Sequence, residues 1–207
     1  MRIVLGAVLA LLLTLSGTAF AQRDFAQPPA PTQADYFVIG DAPVRALKGA
    51  DVTIIYFFDY QCPACRKYHN DVRTVFAADP KLRIIYRDTP IFGERSMNAA
   101  RAAIAAKYQR KHDALHHALM TQPLPLDDVA IRAAATRAGV DWPRLQRDLA
   151  THRKAIDAQI AQNQNLSEAA GISGTPAFII GETLSDGALD RKGLLAEIAD
   201  ARRARKR

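Results

Sequence analysis

The sequence predicts an α/β domain interrupted by an all-helical insertion. Three observations point there. A dense run of β-branched and aromatic residues at 52–60 leads without a loop into Cys62-Pro63-Ala64-Cys65 and a helix-spaced stretch. Residues 96–171 are rich in Ala and Arg and carry no strand signal. Beyond them, a short apolar run at 177–180 and a terminal helix over 190–204 restore the alternation of strand and helix. Strand, helix, strand, helical block, strand, helix is the order of an α/β domain with a helical insertion.

Composition permits this. The 207 residues suffice for one large domain or a core domain with an insertion, and an apolar fraction of 49% supports a well-buried core. Part of the formal charge of +7 sits in Arg202, Arg203, Arg205, Lys206 and Arg207, which read as a frayed, solvated end. No aromatic residues interleave with these cations, so a nucleic-acid partner is not expected.

At the start, Arg2 supplies positive charge, residues 3–15 are almost wholly apolar, and Ala19-Phe20-Ala21 offers small residues where a signal peptidase reads. That is the order of a secretory signal. The apolar run falls short of the roughly 20 residues of a transmembrane helix. A signal peptide is therefore expected over 1–21, with a mature chain from Gln22 and both cysteines in an exported protein, where disulfides persist.

Residues 22–50 are read as a leader and first strand. The stretch 22–32, rich in Pro, Gln and Ala, reads as flexible, 36–39 as a short strand, and Gly40-Asp41-Ala42-Pro43 as its turn. The run 52–60 lacks clean alternation, which predicts a strand buried on both faces. Tyr68, Val72, Val75 and Phe76 have helical spacing, and Asp79-Pro80 ends that helix. Residues 82–86 form a second central strand. Within the helical block, Ile104, Tyr108, Leu115 and Leu119 mark one face, Gly139 a stop, and Asp141 an N-cap before Trp142 and Pro143. Leu145, Leu149, Ile156 and Ile160 stripe a long helix or a broken pair.

Cys62 and Cys65 are the only cysteines. Two intervening residues at a helix start bring both sulfurs within bonding reach. Unpaired N–H groups and the helix dipole favour a thiolate at Cys62, making it the nucleophile. Pro63 is tolerated in the first turn, which has no N–H partner to lose. Cys65, one turn inward, is expected to be the buried resolving thiol. A structural disulfide is disfavoured because so small a loop constrains the unfolded chain little. Zinc usually takes four ligands and there is no second cysteine pair, so no metal site is assigned; Cu(I) on the two thiols stays open. His112 and His116 share a helix face beside His117 and are expected to be partly exposed helix residues.

The segment Phe57-Phe58-Asp59-Tyr60-Gln61-Cys62-Pro63-Ala64-Cys65 resembles the active site of the bacterial DsbA-like thiol–disulfide oxidoreductases. Tyr86-Arg87-Asp88-Thr89-Pro90-Ile91-Phe92-Gly93 resembles the junction leading into that family's insertion, and Ser173-Gly174-Thr175-Pro176-Ala177-Phe178 the segment holding its cis-proline. The likeness runs over about 41–195, with the motifs in the family's order. It implies a thioredoxin-like fold at 51–95 and 172–207 with a helical insertion at 96–171, a periplasmic location, and no cofactor. It also implies a cis Pro176 beside the cysteines, which would leave the Thr175 backbone free to pair with an extended substrate. Two departures matter. Tyr56 stands where related proteins often carry a buried acid that moves protons, which leaves Asp59 as an alternative carboxylate. Ala64 stands where the best-known members have histidine, and so supplies no positive charge for the thiolate.

The leading expectation is an oxidase that forms disulfides in reduced or misoxidised secreted proteins and is itself recycled by a membrane redox partner. A disulfide isomerase or reductase is the alternative. A non-enzymatic copper-binding or chaperone protein is a third reading. The leader is too short and proline-rich for the oligomerisation domain that isomerases of this kind often carry, so a monomer is expected.

Overall fold

The computed structural model describes residues 31–206 apart from 39, 41 and 47. The signal-peptide segment and nearly all of the leader lie outside the described residues. Strand β2 (Val52–Phe58) is the centre of a five-stranded sheet of order β1-β3-β2-β4-β5. It runs parallel to β3 (Leu82–Asp88) and antiparallel to β4 (Ala177–Ile180). Strands β1 (Val44–Arg45) and β5 (Thr183–Asp186) form the antiparallel edges.

The missing alternation in β2 has the expected cause: both faces are covered. Ile54, Tyr56 and Phe58 share one buried cluster with Val72, Val75 and Phe76 of α2 (Pro63–Ala78) and with Leu194 and Ile198 of α7 (Arg191–Ala204). Ile55 and Phe57 face the other way, toward Tyr36, Leu166 and Ile179. Between β3 and β4 the chain is helical throughout: α3 (Glu94–Ala105), a 3₁₀ turn (Ala106–Gln109), α4 (His112–Thr121), α5 (Asp128–Arg137) and α6 (Trp142–Ala169). Gly139 takes a positive φ of 66° after α5, and the Asp141 carboxylate accepts from Arg144 N–H to cap α6. The apolar stripe from Leu145 to Ile160 lies on one unbroken 28-residue helix. The result is a thioredoxin-like α/β fold with an all-helical insertion. Among the described residues no helix is long and apolar enough to cross a membrane.

Two expectations are corrected, and one strand is added. Where a strand was expected from 36, Tyr36 and Phe37 instead end a short helix, α1 (Gln33–Phe37), with Val38 as its C-cap; residue 39 lies outside the described residues. Asp35 accepts from both the backbone N–H and the hydroxyl of Thr32, and this local cap outweighs strand propensity. The first strand is Val44–Arg45. Strand β5 was not foreseen, because its residues are mostly exposed and carry no apolar run. The basic end is not simply frayed. Arg202 lies on α7 and forms ion pairs with Asp51 at 2.8 Å and Asp79 at 2.9 Å, tying the last helix to the sheet.

A buried arginine secures the N-terminal segment. Arg87 of β3 donates to the carbonyls of Tyr36 at 3.1 Å and Val38 at 2.6 Å, and to Asn163 Oδ1 of α6 at 3.3 Å. Burial pulls its pKa down to about 10.

Candidate active site

The geometry of the site follows from where three strands end. β2 delivers the chain to Asp59-Tyr60-Gln61, and Cys62 is the N-cap of α2 with extended backbone (φ −64°, ψ 119°). Pro63 opens the helix, exposed, and Ala64 packs half-buried against the core. Because β4 pairs with β2 (Ala177 opposite Phe57), the Thr175-Pro176 segment that leads into β4 arrives beside the cysteines. The Thr175–Pro176 bond is cis, as is Leu124–Pro125.

The two thiols are free and differ sharply in environment. Cys62 Sγ accepts from the Cys65 N–H at 3.4 Å and donates to the Thr175 carbonyl at 3.1 Å. The contact with Cys65 and, against the effect of burial, the contact with Thr175 and the neighbouring backbone N–H groups pull the Cys62 pKa down to about 6. Burial and the adjacent Cys62 push that of Cys65 far up. Cys62 is 4% exposed and Cys65 1%, so the thiol expected to be the nucleophile is itself recessed rather than open at the helix terminus. The arrangement is that of an attacking thiolate with a protonated partner one turn behind it.

Asp59 is buried, and both its oxygens are taken. Oδ1 accepts from Gln61 N–H at 2.7 Å and Ser96 hydroxyl at 2.7 Å; Oδ2 accepts from the N–H groups of Ile91 at 2.6 Å and Phe92 at 3.2 Å. It clamps the active-site turn to the loop after β3 and to α3. On the other flank Gln61 Oε1 accepts from Leu126 N–H, and Arg66 donates to the carbonyls of Tyr60, Leu119 and Gln122. Ile91, Phe92 and Leu124 on these two tied loops are exposed apolar residues.

Behind the turn lies a polar cluster. His112 and His116 are buried, at 7% and 5% exposure, which corrects the expectation that they are partly exposed; His117 is half-buried, as expected. The reason is that α4 packs this face against α2 and β3. Tyr60 hydroxyl and His116 Nδ1 are 3.1 Å apart, and His69 Nε2 and His117 Nδ1 are 2.9 Å apart. Burial drives the pKa of His116 well down and that of His69 to about 4. Among the described residues no group of three or more His, Cys, Asp or Glu side chains is arranged to hold a metal.

Sequence reasoning missed one acid. Asp88, at the end of β3 opposite Phe58, is fully buried and both its oxygens lack hydrogen-bond partners. Burial pushes its pKa up to about 6, opposed by nearby His112 and Tyr60. An acid at the end of an apolar strand run was the only signal available for it.

A family model described as thioredoxin matches residues 41–200. Among solved structures, the chain is similar to a thioredoxin-like oxidoreductase from Silicibacter pomeroyi, with 37% identity and a TM-score of 0.77 over 86% of this chain and 99% of that one. It is similar to the thiol-disulfide exchange protein alpha-DsbA2 from Wolbachia pipientis, with 27% identity and a TM-score of 0.76 over 80% and 89% of the two chains. The catalytic domain of ScsC from Proteus mirabilis matches with 26% identity and a TM-score of 0.72 over 82% and 93%. The curated relatives matched in sequence are Na(+)/H(+) antiporters, among them NhaA 3 of Salinispora tropica, 28% identical over 160 residues. This chain spans only 24% of that protein's length.

Proposed function

The chain belongs to the thioredoxin family, and its structural relatives are DsbA-like thiol–disulfide oxidoreductases; on that premise we propose that it is an oxidase of exported proteins, working in the periplasm as a monomer. A client thiolate attacks Cys62 Sγ of the oxidised protein. The Cys62–Cys65 bond breaks, and Cys65 leaves and takes a proton. The client's second thiolate then attacks its own sulfur in the mixed disulfide and releases Cys62 as a thiolate. The client has lost two electrons and the cysteine pair has gained them. A membrane redox partner removes them again.

One observation carries the oxidase direction: Cys62 Sγ caps α2 and accepts from the Cys65 N–H at 3.4 Å, and the side-chain contact with Cys65, ahead of the neighbouring N–H groups, lowers its pKa to about 6. Stabilising the thiolate stabilises the reduced form, and a stable reduced form makes the disulfide a stronger oxidant. In this reading the client backbone lies along Thr175, with Pro176, Pro63 and Ala64 shaping the floor. Ile91, Phe92 and Leu124 offer apolar contact to an unfolded chain. Asp59 anchors the turn, and any part it takes in proton handling is open to the test given below.

The experiment is equilibration of the purified protein with glutathione buffers, together with thiol trapping in cells. An oxidase has a potential nearer the about −120 mV of DsbA than the about −270 mV of thioredoxin, and is found oxidised. A potential near the lower value, with the pair found reduced, would make the protein a reductase or isomerase.

A further inference from the structure

A second recess opens along the flank of α2, away from the N-cap that carries Cys62. It has a volume of about 620 Å³ and lies between α2, α4, the end of α5 and strand β1. That is within the range of about 300–1,000 Å³ usual for small-molecule sites. Its floor is apolar, formed by Val72 and Phe76 of the core with the ring of Tyr86. Its rim is cationic. Arg45, Arg73 and Arg137 converge on it from three different elements.

Among the described residues none of the three arginines is in an ion pair, whereas Arg202, in the other basic patch, is already held by Asp51 and Asp79. Two of the three are preset: Arg45 donates to the Phe76 carbonyl, and Arg137 to the Ala118 carbonyl at 3.1 Å. Each of those bonds uses one donor of a guanidinium that has five. Asp113 is the single acid in the lining; its charge is shared with His112, 3.7 Å away, and with Tyr86, and it also feels the charge of Arg45, which leaves Arg73 and Arg137 as the cations it does not engage. Inside the recess His69, only 2% exposed, leaves Nδ1 without a partner. A cationic rim over an apolar floor, with an unsatisfied polar atom in the wall, is a half-built site.

We infer that this recess binds a small organic anion with an apolar body, such as an aryl- or alkyl-carboxylate, its headgroup among Arg45, Arg73 and Arg137 and its body over Val72, Phe76 and Tyr86. Arginine forks match carboxylate geometry bidentately, which favours an oxyanion over a halide. The apolar floor favours a ligand with a hydrocarbon tail over inorganic phosphate. The inference is independent of the direction of electron flow at Cys62.

The test is calorimetric titration of the full chain with phenylbutyrate, phenylbutanol and butyrate, paired with the side-chain nitrogen resonances of His69 and His117. Phenylbutyrate is expected to saturate below about 10 mM, with each of the other two at least about tenfold weaker. Both histidines should respond to phenylbutyrate. Arg73→Glu, on the exposed side of α2, should weaken phenylbutyrate at least about tenfold while the thermal midpoint holds. Ala114→Phe, which fills the recess without touching its charges, should abolish binding. Equal affinity for phenylbutanol, binding untouched by Arg73→Glu or by Ala114→Phe, or no saturation at all would each overturn the inference.

Discussion

Cys62 Sγ lies 3.1 Å from the carbonyl oxygen of Thr175, a residue 113 positions further along the chain. The contact is a consequence of sheet topology. β2 and β4 are antiparallel neighbours, with Phe57 opposite Ala177, so the end of one strand meets the start of the other. The whole helical insertion leaves after β3 and returns before β4. The site therefore joins segments that the insertion separates, and it depends on the core strands pairing correctly.

The two thiols should be separable by mutation. Cys62→Ser is expected to abolish exchange, because the proposed mechanism makes the sulfur that receives the Cys65 N–H and meets Thr175 the nucleophile. Cys65→Ser should instead accumulate mixed disulfides, formed when the Cys62 thiolate attacks a client disulfide and releases the client's other sulfur as a thiolate, since the intramolecular route of resolution through Cys65 is gone. Non-reducing gels of trapped adducts check this. Adducts on Cys62→Ser and none on Cys65→Ser would reverse the roles.

The pH dependence follows from the same contacts. Alkylation of Cys62 by iodoacetamide should reach half its maximal rate near pH 6, the value to which the Cys65 contact and its neighbours lower it. A depressed acid stabilises the folded, reduced protein most fully above the free-thiol pKa of about 8.5. That contribution is lost as pH falls through about 6. The margin by which the reduced parent exceeds Cys62→Ser in thermal midpoint should shrink over the same interval. A half-maximal rate near the free-thiol value would remove the basis of the oxidase reading.

Much of this was legible in the sequence, for identifiable reasons. The strand 52–58, the helix that Cys62 caps and the cap at Asp141 all rest on local patterns that tertiary structure reinforces. The short N-terminal helix was not legible, since Thr32 and Asp35 form a cap that competes with a β-branched run and Arg87 fixes the result from 49 to 51 residues away. His112 and His116 were misjudged for a related reason. Their spacing places them on one face of α4, but spacing does not say which face the sheet and α2 will bury.

Arg66 should matter more than an ordinary helix residue. It donates to the carbonyls of Tyr60 and Leu119, both at 2.9 Å, and to that of Gln122, and so joins the active-site turn to the end of α4. Arg66→Ala is expected to destabilise the protein by about 2–4 kcal/mol. Arg66→Lys should recover only part of this, because an ammonium cannot reproduce the planar fork. Urea unfolding of the parent and both variants is the measurement. A full rescue by lysine would show that charge alone was needed.

Asp59→Asn tests whether the clamp or a proton is the point. The amide would place its NH₂ either against the Gln61 and Ser96 donors or against the Ile91 and Phe92 donors, and about 2–3 kcal/mol of stability should be lost. If Asp59 only anchors the turn, resolution of a mixed disulfide should keep the parent's pH profile. A displaced profile, measured by stopped-flow release of a fluorescent peptide, would assign it a proton-handling part.

Asp88 gives the prediction of opposite sign. Its carboxylate is fully buried without a hydrogen-bond partner, and burial raises its pKa from 3.8 to about 6. For an acid raised in the folded state, the folded protein holds its proton longer than the unfolded chain does. Stability therefore falls as pH rises through that interval, and the cost is fully present above about pH 6. Two pKa units correspond to an upper bound on the order of 3 kcal/mol. Asp88→Asn removes the charge at nearly constant volume, so it should stabilise the protein at pH 8 by about 1–3 kcal/mol, with the gain gone below about pH 4. Urea midpoints at the two pH values measure this. Destabilisation at pH 8 would mean that the carboxylate is held as a charge by His112. A stabilised variant with slower client oxidation would mean that the chain tolerates a strained acid because exchange at the neighbouring cysteines uses its proton.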